Sequence, residues 1–189
     1  MTVDMDMLRA TVEKLSGQLD GYKIEILEGS IVMSPVRPFH GDTIFELRVM
    51  LRDQIGPDWA LVEDVKNDMD ETISEPAPDL AVIPAVERAK NLSKYPHELT
   101  ELAIEVVSPG SIRNDYVTKV EVYAKAAIPV YLIFDPYKAT ATFLWEPSAG
   151  AYAQKRTVPY GEVATLATPL GELVIDTGRL PIDPTAPAK

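Results

Sequence analysis

The chain has 189 residues, 46% hydrophobic and 25% charged, which fits one substantial domain able to bury a core. It holds no cysteine, so disulfides and thiolate metal sites are excluded. A net charge of −11 argues against a broad phosphate-binding surface, although Arg88, Lys90 and Lys94 form one basic cluster and Arg113, Lys119 and Lys125 another.

Residues 1–6 lack the basic-then-apolar pattern of a secretion signal, and no apolar run approaches membrane-spanning length. A soluble cytoplasmic protein with no membrane partner is therefore expected. Residues 5–19 read as a helix with Met7, Leu8, Val12, Leu15 and Leu19 on a broad apolar face. Residues 22–27 alternate, and Glu28-Gly29-Ser30 turns the chain into 31–33, a hairpin signal. Residues 40–55 carry Ile44, Leu47, Leu51 and Ile55 at helical spacing, and Gly56-Pro57 stops that helix. A strand is predicted at 59–62, an acidic loop at 68–75 and a strand at 79–83. Residues 86–98 are polar and read as a mobile loop with at most a short helix. The run 101–107 is nearly all apolar, as in a strand buried on both faces, and 108–111 form a tight turn. A helix follows at 115–127 with Val117, Val120, Ala124 and Ala127 toward the core, then a buried strand at 129–134. Residues 139–145 and 151–157 alternate like an antiparallel pair, and 173–175 add a last strand. The fold class expected is α/β (α+β): one domain over 1–180 with a mixed central sheet flanked by helices and an added antiparallel hairpin. The proline-rich stretch 181–189 reads as a disordered tail.

Two of the apolar strands each carry one acid, Asp79 in the first and Glu105 in the second, and Lys119 follows on the next helix. A buried carboxylate is costly unless it is paired or binds a metal. Two on neighbouring strands point to a divalent cation and an activated water, and an all-oxygen donor set favours Mg²⁺ or Mn²⁺ over Zn²⁺. Plainer readings stand beside this one. Asp79 can lie at a solvated strand end, Glu105 can simply pair with Lys119, and Asp115 and Lys119 have the spacing of a helical salt bridge. Glu25 alternates with Ile24 and Ile26 and can face water. His40 can be only a helix-start residue, Ser108 a turn cap, Tyr123 a packing residue and His97 a solvated one. Without metal, Asp79, Glu105 and Glu25 are expected to repel one another, so that Asp79→Asn stabilises the metal-free protein.

The order Pro78-Asp79, then Ile104 to Pro109 with Ser111, then Asp115, Lys119 and Tyr123, then Tyr131 to Ile133 and Asp135-Pro136, resembles the Uma-type family of restriction endonuclease-like proteins, in the PD-(D/E)XK nuclease superfamily. Tyr22, Glu25, Gly29 and His40 extend the resemblance upstream, so that it runs from about residue 22 to 152. It implies a restriction endonuclease-like core and a metal-dependent endonuclease that hydrolyses DNA. Asp79 and Glu105 would be catalytic metal ligands and Glu25 a further one. The superfamily's lysine normally lies two residues after the second acid, where this chain has Val107; Lys119 matches the lysine that the Uma-type pattern places on the following helix. His40 matches the family's histidine and, with Arg113 of the second basic cluster, is a candidate substrate contact. Superfamily nucleases are often dimers, because cutting both strands needs two sites, so a homodimer is expected. The alternatives are a binding or assembly protein that kept the fold without useful activity, and a hydrolase of another phosphate ester.

Overall fold

A computed structural model describes residues 3–69 and 73–186. Helix α1 (Met5–Ser16) starts where the Asp4 carboxylate accepts the Met7 N–H at 3.0 Å, and it buries Val12 against Ile24 and Ile26. Those isoleucines lie on β1 (Tyr22–Leu27), which pairs antiparallel with β2 (Ser30–Pro35). The turn between them is Glu28-Gly29 with φ of 48° and 70°, two left-handed positions that match the twist of a hairpin. Pro38 opens α2 (Pro38–Arg52), where its missing N–H is no loss, and Leu47, Met50 and Leu51 form the buried stripe.

The remaining strands are β3 (Trp59–Val62), β4 (Lys66–Asp68), β5 (Leu80–Pro84), β6 (Lys94–Pro96), β7 (Leu102–Val106), β8 (Val130–Asp135), β9 (Thr140–Ser148), β10 (Ala151–Pro159), β11 (Val163–Thr168) and β12 (Gly171–Asp176). Helix α3 (Ala85–Arg88) is one turn, and α4 (Lys119–Lys125) continues a π-helical turn over Asn114–Thr118. Six strands form the central sheet in the order β10-β9-β8-β7-β5-β3, antiparallel except for the parallel pair β7–β8. This is the mixed sheet with helices on its faces that the sequence predicts. Leu80, Val82, Leu102, Ile104, Val106, Leu132 and Phe134 pack on one face with α2 and with Leu173 and Ile175 of β12. Ala103, Val107, Tyr131 and Ile133 pack on the other with Val122 and Tyr123 of α4. Among the described residues no helix is long and apolar enough to cross a membrane.

Several local expectations change. The buried face of 115–127 is Asp115, Thr118, Lys119, Val122, Tyr123 and Ala124, while Val117 is exposed. The apolar spacing misled because the inward charges are paired. Residues 86–98 are ordered by pairing: β6 runs parallel to β4, Tyr95 is buried, and its hydroxyl accepts the Leu92 N–H at 3.0 Å. His97, expected in solvent, bonds the Asp68 carbonyl through Nδ1 at 3.0 Å. The last strand has a partner that the sequence reading missed, β11. The hairpin β11–β12 is tied to α2 by Gln54, which donates to the Val174 carbonyl and accepts its N–H at 2.9 and 2.7 Å. Of the expected acidic loop, residues 70–72 lie outside the described residues, and Glu75 bridges to Ile26 of β1. Of the expected tail, 187–189 lie outside the described residues. Asp183 donates its N–H to the Pro136 carbonyl at 3.0 Å, and Ala186 packs on the core.

Candidate active site

Register places the two strand acids together. Leu80 pairs with Ile104 and Ala81 with Ala103 across β5–β7, so Asp79, one residue before β5, falls opposite Glu105. Side chains alternate along a strand, and both acids share the face of Ala103 and Val107, under α4. Each is 1% exposed. The β1 strand brings a second pair by the same alternation. Ile24 and Ile26 face α1, while Lys23 and Glu25 face the acids.

The result is a chain of opposite charges. Lys23 Nζ lies 2.5 Å from Asp79 Oδ1 and 3.1 Å from Glu105 Oε2. Lys119 Nζ lies 2.9 Å from Glu105 Oε1, 2.9 Å from Glu25 Oε2 and 3.5 Å from Asp115 Oδ1. The other lone pairs are also used. Asp79 Oδ2 accepts the Val106 N–H at 2.6 Å and meets His40 Nε2 at 3.1 Å. Glu25 Oε1 accepts the Ala77 N–H at 2.8 Å, and Glu105 Oε1 accepts the Tyr123 hydroxyl at 2.8 Å. Ser111, not Ser108, caps the turn: its hydroxyl accepts the Ser108 N–H at 2.9 Å and donates to Asp115. The π-helical turn matters here, because it heads the helix with Asp115 and Lys119 both turned inward.

Four carboxyl groups thus face two ammonium groups, an excess of two negative charges when all are ionised. Burial pushes Glu105 up to about 8, with Lys119 and Lys23 opposing it. Burial acts on Asp79 in the same sense, but the Lys23 ammonium and the His40 hydrogen bond outweigh it, and Asp79 stays well below the usual carboxylate range. Burial also raises Asp115 against the pull of Lys119. Burial disfavours the Lys119 charge, yet Glu105 and Glu25 hold its pKa above the ordinary lysine value. The expected mutual repulsion of the acids persists, since Asp79 and Glu25 both push Glu105 up, but Lys23 between Asp79 and Glu105 and Lys119 between Glu25 and Glu105 oppose it.

Of the candidate residues, Asp79, Glu105, Lys119, Glu25 and His40 come together. Glu25 does so through Lys119 rather than at the point shared by Asp79 and Glu105. Arg113 is exposed at the head of the π-helical turn, outside the cavity the acids line. Three of the other basic residues pair with local acids: Lys90 with Glu87 at 2.7 Å, Lys94 with Asp68 at 2.7 Å and Lys125 with Glu121 at 3.7 Å. The residue the sequence reading missed is Lys23. Its signal was the alternation of β1, because whatever face takes Glu25 also takes Lys23.

Among the described residues, no three acidic or histidine side chains are grouped as a ready metal cage. The donor chemistry nevertheless fits a hard dication. Asp79 Oδ1 and Glu105 Oε2 converge on one point, and the Lys23 ammonium marks it as a cation position. The adjoining cavity is about 10 Å³, near the least that holds a water. Two polar atoms of residues on its wall, Ser108 Oγ and His40 Nδ1, are buried without a protein partner.

The family model of Uma2, described as "Putative restriction endonuclease", matches residues 10–178. The chain belongs to this family. Among solved structures it is similar to "a putative nuclease belonging to DUF820" from Anabaena variabilis, with a TM-score of 0.65 and 16% identity over 83% of this chain and 88% of that one. That likeness carries the nuclease-type fold. No curated protein matches.

Proposed function

We propose that the chain is a metal-dependent endonuclease that hydrolyses DNA phosphodiester bonds, with Mg²⁺ or Mn²⁺ held by Asp79 and Glu105. The observation that carries this reading is the convergence of Asp79 Oδ1 and Glu105 Oε2 on one cation position beside Lys119. A divalent ion there supplies Lewis-acid polarisation of a phosphoryl oxygen and a water of lowered pKa. Lys119, held as an ammonium by Glu25 and Glu105, stabilises charge developing on the phosphate and does not act as a base. Asp79, ionised, accepts from His40 Nε2, which leaves the lone pair of Nδ1 free to take the proton of the attacking water. The water oxygen bonds to phosphorus, the P–O bond to the leaving group breaks, and solvent protonates the leaving oxygen. Ser108 Oγ, unpartnered on a residue of the cavity wall, would orient that water. Glu25 serves to hold Lys119. One such site per chain cuts one strand, so the proposal includes a homodimer for cutting both.

The test is cleavage of supercoiled DNA in Mg²⁺ or Mn²⁺, beside Asp79→Ala and a chelator control. Nicking that needs both the metal and Asp79 is the expected result. A second reading, a nuclease-fold binding protein without activity, has one observation in its favour: both acids are buried and already engaged by Lys23. Wild-type protein that binds DNA and never nicks it, at any metal concentration, would select that reading.

A further inference from the structure

We infer that Lys23 is a resident counter-cation which a divalent metal must displace, and which on displacement swings into the outer groove to hold a substrate phosphate. The inference rests on the metal reading of Asp79 and Glu105. Its first ground is competition for the same atoms. Lys23 Nζ contacts Asp79 Oδ1 and Glu105 Oε2, the two oxygens that face the shared cation position. An ammonium and a dication at one point exclude each other sterically and repel strongly in a buried setting.

The second ground is the contrast between the two lysines. The Lys119 side chain is 2% exposed and held by three carboxylates. The Lys23 side chain is 10% exposed, and its third acid, Asp64 at 3.8 Å, is itself 64% exposed. Lys119 is locked, whereas Lys23 has a charged stepping stone leading outward.

The third ground is position. Lys23 and His40 line both the acid cavity and an adjoining, larger groove of about 280 Å³, whose wall also carries Phe45, Asp64 and Arg48, the last paired with Glu63 at 2.6 Å. A rotation of the flexible lysine stem moves the ammonium from the acids into that groove without moving β1. On that wall the ammonium and Arg48, once Arg48 is parted from Glu63, would present two cations to a phosphodiester. Metal and phosphodiester binding are then linked: each favours the outward position of Lys23, so each strengthens the other.

Two measurements on the full chain test this. In lysine acylation footprinting of wild-type protein read by mass spectrometry, Mg²⁺ should raise labelling of Lys23 severalfold and leave Lys119 unreactive. In calorimetric titration with Mn²⁺, Lys23→Met should bind metal about 10–100-fold more tightly than wild type, the span by which groups supporting a metal site alter its affinity. A short phosphorothioate oligonucleotide should tighten Mn²⁺ binding by wild type and not by the variant. If wild type binds metal while Lys23 labelling stays flat, or if Lys23→Met binds no more tightly, the displacement idea fails and the metal reading stands. If neither protein binds metal, both fail.

Discussion

Along β7 and the residue after it, Leu102, Ile104 and Val106 face α2, and Ala103, Glu105 and Val107 face α4, so one strand serves two surfaces of opposite character. The α2 face is a continuous apolar core. The α4 face sets a network of carboxylates and ammonium groups among tyrosines, at least as deeply buried. The first face is held by removal of area from water, which is non-directional and involves no titrating group. The second holds only while every charge has its partner. A fold that needed stability alone would fill both faces with apolar side chains. The comparison teaches that the second face is kept for its chemistry, while the first carries the fold.

The sharpest way to break this comparison is to remove one charge. Lys119→Met leaves Glu25, Glu105 and Asp115 together without their shared cation. Denaturant unfolding should show a loss of about 3–5 kcal/mol. A smaller loss on the other face, about 2–5 kcal/mol, is expected for Leu102→Ala, with metal affinity unchanged. A Lys119→Met protein as stable as wild type would mean that the network is loosely hydrated and not a sealed site.

Asp79→Asn comes next. The bare-acid expectation was stabilisation, but Asp79 holds Lys23, the Val106 N–H and His40. The substitution should instead destabilise the metal-free protein by about 1.5–3 kcal/mol, as for loss of hydrogen bonds to a charged group. A rise in melting temperature would restore the repulsion view. Tyr123→Phe removes a single bond to Glu105 and should lower stability by about 1 kcal/mol.

A further test is in pH, and only the α4 face should show it. Glu105 ionises near 4.5 when free and at about 8 in the fold, so between these values the folded state binds the extra proton. Stability of the metal-free protein should therefore fall as pH rises through that window. Glu105→Gln should flatten the slope in thermal melts across the same range, and an unchanged slope would assign it elsewhere.

Much of this was legible in the residues. The single acids inside apolar runs singled out Asp79 and Glu105, and Lys119 followed from its place on the next helix, but the β5–β7 register that puts both acids on one face was not legible. Lys23 was missed because a lysine on a short alternating strand usually faces water, and only the burial of Glu25 two residues on reveals otherwise. The inward face of the 115–127 helix was misread for the same reason: patterning rules count charges as outward, and paired charges break that rule. Strand β11 was missed because only Ala164 and Leu166 of its six residues face the core, too few for an alternating apolar signal. Its order comes from pairing with β12 and from the clamp of Gln54, contacts far apart in sequence.

The most direct test is anomalous diffraction from crystals soaked in Mn²⁺. The account expects one peak between Asp79 and Glu105, about 2.0–2.6 Å from Oδ1 and Oε2, with the Lys23 ammonium moved off that point. Crystals that take up Mn²⁺ only elsewhere, with Lys23 still bridging the two acids, would contradict it.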